Sequence, residues 1–285
     1  MKKLYILYFA GFLFLVNIFC WREVFVLAQK NDLKVVFFDV GQGDSIFIET
    51  PQKHQILIDG GPSSVVLQKL SERMSFWDKT IDLIILTHPE KDHYYGIMEV
   101  LKRYKVENIL WTGILKNNSE YEKWVDLLEK EQIQGAKIIT AKKGQIITAE
   151  NVFIDILHPL ESIKDQEIKD VNDTSVVARL SFFDNSFLFV GDISSKVEKK
   201  LFQEKNTLFS DVLKVGHHGS KYSTSDIFLE NVKPKIAVIS VGKNSYGHPT
   251  PEVLEILDKF GVEVLRTDQK GDITILSNGE NIIIK

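Results

Sequence analysis

Six apolar runs in this chain each stop at a short polar cluster, and this repeated strand-then-cluster pattern limits the fold more than any other feature. The clusters are Asp39-Val40-Gly41-Gln42-Gly43-Asp44, Asp59-Gly60-Gly61, His88-Pro89-Glu90-Lys91-Asp92-His93, Gly191-Asp192, Gly216-His217-His218-Gly219-Ser220 and Gly247-His248-Pro249. Short apolar runs bounded by turn residues read as buried strands. Polar loops at the ends of strands on a rigid scaffold are where catalytic groups collect. The pattern therefore predicts sheets whose strand ends bring their polar loops to one edge.

The third cluster carries the most chemistry. It follows the apolar run Leu83-Ile84-Ile85-Leu86-Thr87 and places His88, Glu90, Asp92 and His93 within one loop. Imidazoles and carboxylates are the groups that hold divalent transition metals. So dense a set is a poor match to a core pattern and points to a metal-activated water, hence to a hydrolase.

Strands are expected at Val35–Asp39, Ser45–Thr50, Gln55–Asp59, Leu83–Thr87, Ile109–Thr112, Ala136–Thr140, Gln145–Ile147 and Val152–Leu157. Further strands are expected at Ser175–Phe182, Phe187–Gly191, Val212–Val215, Ile236–Val241 and Val262–Arg266, with two short ones around Ser277-Asn278-Gly279. Helical spacing marks Val65–Trp77, Ile97–Tyr104, Glu120–Glu131, Ser194–Gln203, Ser225–Asn231 and Pro251–Phe260, with Ser194 or Asp192 available as a helix cap. Glu161–Asp170 is charged and reads as an exposed loop. Strands followed by mixed strand and helix, twice over, predict two sheets packed face to face with helices outside.

The 285 residues, 44% of them hydrophobic, suffice for a sizeable core. A net charge of −4 excludes a protein that grips nucleic acid through its overall field, so any such binding must come from a local patch or from metals. The single cysteine, Cys20, rules out a disulfide within the chain, and Asn17-Ile18-Phe19 before it lacks the small residue expected ahead of a lipidated cysteine. Lys2 and Lys3 precede an apolar run from Leu4 to Trp21. Residues 1–30 are expected to be a membrane anchor, or a signal peptide cleaved near Val26-Leu27-Ala28. Either reading places residues 31–285, the hydrolase domain, outside the cytoplasm.

The segments FFDVGQGDS, ILIDGG, LILTHPEKDHYYG, NDTSVVARL, FLFVGD, DVLKVGHHGS and SVGKNSYGHPTPE, taken in order, resemble the metallo-β-lactamase superfamily. More narrowly they resemble the hydrolase domain of ComEC-type competence proteins, which serve DNA uptake. The resemblance implies an α+β fold, a four-layer αββα sandwich, with two divalent metal ions, zinc or manganese, at one edge.

Residue by residue, the superfamily's metal loop His-x-His-x-Asp-His is matched by His88, Asp92 and His93, with Glu90 in the place of the middle histidine. Asp192 matches the aspartate that bridges both metals. His218, or its neighbour His217, matches the last histidine. Neighbouring residues on an extended chain point opposite ways, so one of the two is expected to bind metal and the other to hydrogen-bond nearby. Asp59 matches the acidic residue bracing the site from behind, and Asp39 and Asn172 are placed with it as supporting residues. The histidine usual before the bridging aspartate is missing at Asn172-Asp173-Thr174-Ser175. The first site would then hold His88, Glu90 and Asp192, and the second Asp92, His93, Asp192 and the late histidine.

Two cations about 3.5–4 Å apart suit phosphodiester hydrolysis. Asp92 is placed to orient the water as well as to bind metal, and His248 to give a proton to the leaving oxygen or to steady the phosphate. Ser220 and Lys221 are candidates for a non-bridging phosphate oxygen. The leading reading is a phosphodiesterase or nuclease acting outside the cytoplasm, linked to DNA uptake. One apolar segment cannot form a DNA pore, so that role would need a separate permease subunit. The alternatives are a cell-surface phosphodiesterase resembling the teichoic acid phosphorylcholine esterases, and a non-catalytic tethered module that binds polyanions. Lactam hydrolysis is disfavoured, because fold alone does not fix chemistry and the matching segments are of the competence kind.

Overall fold

Alternate residues of the first strand part company. Leu33, Val35 and Phe37 enter one buried cluster, while Val36, Phe38 and Val40 enter another. Successive side chains of a strand face opposite sides. A strand whose apolar residues alternate between two buried clusters is therefore covered on both faces. The computed structural model, which describes residues 2–28, 32–204 and 207–285, builds its layers from this rule.

The elements in chain order are α1 (Lys2–Ala28), β1 (Leu33–Phe37), β2 (Ile46–Glu49), β3 (Gln55–Ile58), α2 (Val65–Arg73), β4 (Thr80–Ile85), α3 (Lys91–Leu101), β5 (Lys105–Trp111), α4 (Ser119–Ile133) and β6 (Lys137–Thr140). They continue with β7 (Ile146–Ala149), β8 (Val152–His158), β9 (Val177–Phe182), β10 (Asn185–Phe189), α5 (Ser195–Gln203), β11 (Val212–Lys214), α6 (Asp226–Val232) and β12 (Ile236–Ile239). The last are α7 (Pro251–Lys259), β13 (Glu263–Arg266), α8 (Thr267–Lys270), β14 (Ile273–Ser277) and β15 (Ile282–Ile284).

Among the described residues the strands form two sheets, ordered β15-β14-β1-β2-β3-β4-β5-β6 and β13-β12-β11-β10-β9-β8-β7. The inward faces of both sheets share one core, in which Phe37, Phe187 and Phe189 are fully buried. Each such side chain contributes roughly 1.5–3 kcal/mol relative to exposure. The outer face of the first sheet is covered by α2, α3 and α4, and that of the second by α5, α6 and α7. The result is the expected α+β sandwich of two sheets between helices.

One close approach aligns the site. The amide of Gly60 donates to the carbonyl of His93 at 2.7 Å, and the amide of Gly96 to that of Gly61 at 2.9 Å. A Cβ on Gly96 would lie 1.8 Å from the Gly60 carbonyl oxygen. Only glycine on both sides lets the first turns of α3 lie against the turn after β3.

Element boundaries differ from expectation in instructive places. Helix α3 starts at Lys91, not Ile97, so Asp92 and His93 sit in its first turn, where the helix dipole favours a carboxylate. The polar loop composition hid this start, which the backbone contact to Gly60 stabilises. Strand β10 begins at Asn185, not Phe187, so the turn from β9 falls at Phe183-Asp184, with Phe183 at φ 50°. Ser194 holds the N-cap position of α5, but its side chain makes no capping hydrogen bond. Asp192 is not a cap, because its carboxylate lies in the cluster described below.

The expected leader falls in α1. Among the described residues no helix is long and apolar enough to cross a membrane. The side chains of the expected cleavage site Val26-Leu27-Ala28 and the expected boundary at residues 30 and 31 lie outside the described residues.

Candidate metal centre

Three imidazoles are braced in the same sense. The Nδ1 of His93 lies 2.8 Å from Asp59 Oδ2, and that of His218 lies 2.8 Å from the Ser240 carbonyl. A carboxylate and a carbonyl can only accept, so both rings carry their proton on Nδ1. The Nδ1 of His88 lies 3.0 Å from Thr87 Oγ1 and 3.2 Å from Ser175 Oγ. Thr87 Oγ1 donates to Asp59 Oδ2 and Ser175 Oγ donates to the Asn172 carbonyl, so His88 Nδ1 must donate as well. In the neutral form of each ring the lone pair is left on Nε2.

Those Nε2 atoms converge. His88, His93 and Asp192 offer donor atoms within 4.8 Å of one another, as do Asp92, His93 and His218. The Nε2 atoms of His93 and His218 each lie 3.4 Å from Asp192 Oδ2, and His218 Nε2 lies 3.3 Å from Asp92 Oδ2. The Nε2 atoms of His88, His93 and His218 and Oδ1 of Asp192 are all buried without a hydrogen-bond partner. Each orphaned buried group costs about 1–3 kcal/mol. Four in one spot are explained by a cation, and nitrogen with carboxylate oxygen is a donor set suited to zinc or manganese.

The backbone sets this up locally. Asp192 follows Gly191, at φ 54°, where a Cβ would lie 2.8 Å from the Ser175 side chain. The Asp192 amide donates to Ser175 Oγ at 3.0 Å, tying the end of β10 to the segment before β9. Asp59 turns off the end of β3 at φ 56° and receives Thr87 N at 2.8 Å.

Charges are mutually tuned. Burial raises the Asp192 carboxyl, but His218 and His93 outweigh it and hold it well below the usual range. Burial likewise opposes ionisation of Asp92, and His93 and His218 reverse it to a net lowering. Burial opposes charge on His93 and His218, yet their carboxylate neighbours raise both well above the usual imidazole range. His88 goes the other way: burial and then the charge of His93 push it down to about 3. Burial pushes Asp59 up, with His93 pulling back.

Several expected members stand elsewhere. Glu90 is the main correction: its carboxylate is 2.8 Å from Lys116 Nζ, it faces solvent in part, and it joins none of the donor groups among the described residues. Lys116, on the segment after β5, supplies an opposite charge that outcompetes the cluster. His217 and His218 are not on an extended chain. Both have positive φ, 47° and 54°, and both Nε2 atoms lie within 4 Å of Asp192 Oδ2. His218 is buried in the cluster, whereas His217 is one-third exposed with Nε2 3.8 Å from Asp192 Oδ2. Asn172 Nδ2 lies 3.4 Å from that same Nε2. Asp39 is outside the cluster: its carboxylate accepts from Gly41 N and shapes its own loop.

Ser220 is buried, and its hydroxyl accepts from Tyr222 N at 3.4 Å. Lys221 is exposed, its Nζ 5.4 Å from the Tyr222 ring centroid. The His248 ring is 5.5 Å from that of His217. Burial and then His217 and His218 lower its pKa, which makes it a neutral hydrogen-bond donor at pH 7 and a poor proton donor.

Thr87, Ser175, Ser240 and Lys214 are supporting residues that the sequence did not single out, and Asp44, a member of the first polar cluster, joins them. Asp44 Oδ1 lies 3.3 Å from His218 Nδ1, and Asp44 Oδ2 pairs with the buried Lys214. The one available signal was a charged residue inside an apolar run: Lys214 in Val212-Leu213-Lys214-Val215.

The chain matches known proteins along most of its length. The metallo-beta-lactamase superfamily model matches residues 38–243. ComE operon protein 3 of Bacillus subtilis (strain 168) is 32% identical over 276 residues, which are 89% of this chain and 35% of that protein. Competence protein ComA of Neisseria gonorrhoeae is 29% identical over 244 residues, 85% of this chain and 32% of that one. The chain thus spans about a third of the length of these curated relatives. Among solved structures, the metallo-beta-lactamase fold protein YhfI from Bacillus subtilis superposes with a TM-score of 0.58 at 16% identity, covering 86% of this chain and all of that one.

Proposed function

Because the chain belongs to the metallo-beta-lactamase superfamily, we propose that it is a metal-dependent hydrolase of phosphodiester bonds, with nucleic acid as substrate. The observation that carries this reading is the set of four buried donor atoms without a hydrogen-bond partner on His88, His93, His218 and Asp192. A module that binds polyanions through one cation or none has no need of so many. His88, His93, His218, Asp192 and Asp92 would hold two divalent cations, zinc or manganese. Bound there, the cations would polarise a water and the phosphoryl oxygens.

The chain's own groups supply the rest. Asp92 is the donor on the open side of the cluster, one-third exposed, and its carboxylate stays ionised. It can accept a hydrogen bond from an incoming water and orient it. His248, neutral at pH 7, can donate a hydrogen bond to a non-bridging or leaving oxygen. Lys221, exposed on the loop that follows His218, is available to meet a phosphate. The likeness to competence proteins supports a part in DNA uptake, which in this reading takes place outside the cytoplasm and alongside a permease.

The test is metal content after purification, together with turnover of bis-p-nitrophenyl phosphate and of single- and double-stranded DNA with manganese and zinc compared. Activity in the wild type that vanishes in His93→Ala is the expected result. Full turnover by His93→Ala would sink the site assignment.

A further inference from the structure

A line of rings leads out of the cluster. The ring of His218 is 6.1 Å from that of His217, His217 is 5.5 Å from His248, and His248 is 5.8 Å from Tyr246, centroid to centroid. Exposure grows along it, from buried His218 to Tyr246 at 73%. The last two rings are near parallel, at 30°. An aromatic side chain this exposed gains little from the fold.

Its loop is nonetheless held in place. Asn244 Oδ1 accepts from the amides of Tyr246 and His248, each at 3.1 Å. Asn244 Nδ2 donates to the carbonyls of Gly242 at 2.9 Å and His248 at 2.8 Å. One side chain thus fixes the whole turn from 242 to 248 and presents Tyr246 beside His248. Lys243 on the same turn and Lys221 on the neighbouring loop are both exposed. An ordered aromatic face on a turn that also carries an exposed cation is what single-stranded nucleic-acid sites use, since an unpaired base offers a free π-face and its phosphates seek positive charge.

We propose that His217, His248 and Tyr246 line a track for one strand of unpaired nucleic acid, with Tyr246 stacking the base next to the phosphodiester presented to the cluster. The proposal rests on the phosphodiester reading above and narrows its substrate to single strands. A duplex cannot use the track, because its base faces are covered by their neighbours. A quaternary ammonium headgroup fits it poorly. Such a cation needs open ring faces around it. Here one face of Tyr246 is turned to His248, and the Lys221 ammonium lies by the ring of Tyr222.

The test uses the full chain and a fluorescein-labelled single-stranded oligonucleotide, with anisotropy recorded in EDTA so that nothing is cleaved. Tyr246→Ala is expected to weaken binding about fivefold or more, the loss typical of one stacked base. Tyr246→Phe and Tyr246→Trp should keep wild-type affinity. An oligonucleotide lacking its bases should bind wild type and Tyr246→Ala alike. Equal affinity of wild type and Tyr246→Ala for the normal oligonucleotide overturns the track, as does no binding at all, or displacement by phosphorylcholine but not by a mononucleotide. These results stand apart from the hydrolase reading. A protein that hydrolyses bis-p-nitrophenyl phosphate yet ignores Tyr246→Ala refutes the track alone. An inert protein that still discriminates bases refutes the hydrolase alone.

Discussion

The Nζ of Lys214 lies 2.6 Å from Oδ2 of Asp44, and both side chains are closed off from solvent. Lys214 also donates to the Val215 carbonyl at 2.9 Å. Burial opposes ionisation of Asp44, but Lys214 and then His218 outweigh it and hold the carboxyl below its usual range. The pair therefore links β11 to the loop after β1 and stands directly behind His218. Removing one partner of a buried ion pair leaves the other charge stranded, at about 3–5 kcal/mol. Lys214→Met should lower the urea unfolding free energy by about that amount, and Asp44→Asn/Lys214→Met should recover part of it. A single variant as stable as wild type would show that the pair is not closed to water.

Metal affinity should separate Asp59 from Glu90. Asp59 orients His93 from behind, and losing such a partner typically costs about 10–100-fold in affinity. Asp59→Asn should show that loss in a competition titration with a zinc or manganese chelator. Glu90→Gln should leave affinity unchanged, because Glu90 is engaged with Lys116. An equal loss in both variants would make Glu90 a ligand of the loaded protein.

Stability should depend on pH with opposite sign in the metal-free and loaded proteins. The raised pKa values of His93 and His218 mean that their imidazolium forms, held by Asp192, Asp59 and Asp44 against burial, stabilise the metal-free fold. This stabilisation is complete below the unfolded value of about 6.5 and is lost as pH rises through the folded values. A cation instead requires deprotonated rings, so loading grows more favourable with pH. The gap between urea midpoints with metal and with EDTA should widen from pH 6.5 to pH 9. Calorimetry in buffers of different ionisation enthalpy should find about two protons released on loading near neutral pH, one each from His93 and His218. His88, already neutral, should release none. Parallel midpoints would show that these rings are not charged in the metal-free state.

Gly96→Ala should be among the more damaging small substitutions. The added methyl meets the backbone carbonyl of Gly60, which cannot yield without moving the turn that carries Asp59. Overpacking of this kind costs about 1–3 kcal/mol and more against backbone. The variant should unfold at lower urea and, through the His93–Gly60 hydrogen bond, bind metal more weakly. Wild-type stability would show that α3 can slide.

Much of the architecture was legible because it is encoded locally. The apolar run from Val35 that stops at Asp39 reads as a buried strand, and the polar stops after the strands mark the edge where the site is built. His88, Asp92 and His93 stood out because their segment departs from a core pattern, while Asp192 and the choice between His217 and His218 came with the family resemblance, and the fold brings His88, Asp92, His93, Asp192 and His218 together. Three features were not legible. Glu90 is drawn away by Lys116, two elements further on. The beginning of α3 is stabilised by Gly60 across a turn. The common approach of His217 and His218 to Asp192 comes from positive φ at both, where an extended chain would have parted them.

Sequence alone thus determined the layers, the edge and the kinds of donor available, since those follow from residue chemistry and from the periods of strand and helix. Tertiary structure decided which nitrogen each imidazole offers, which carboxylate is diverted to a lysine, and that Lys214 lies buried against Asp44. Those outcomes depend on which atoms from distant segments arrive within 3–4 Å, and hydrogen bonding and Coulomb attraction act over that range only after the chain has closed.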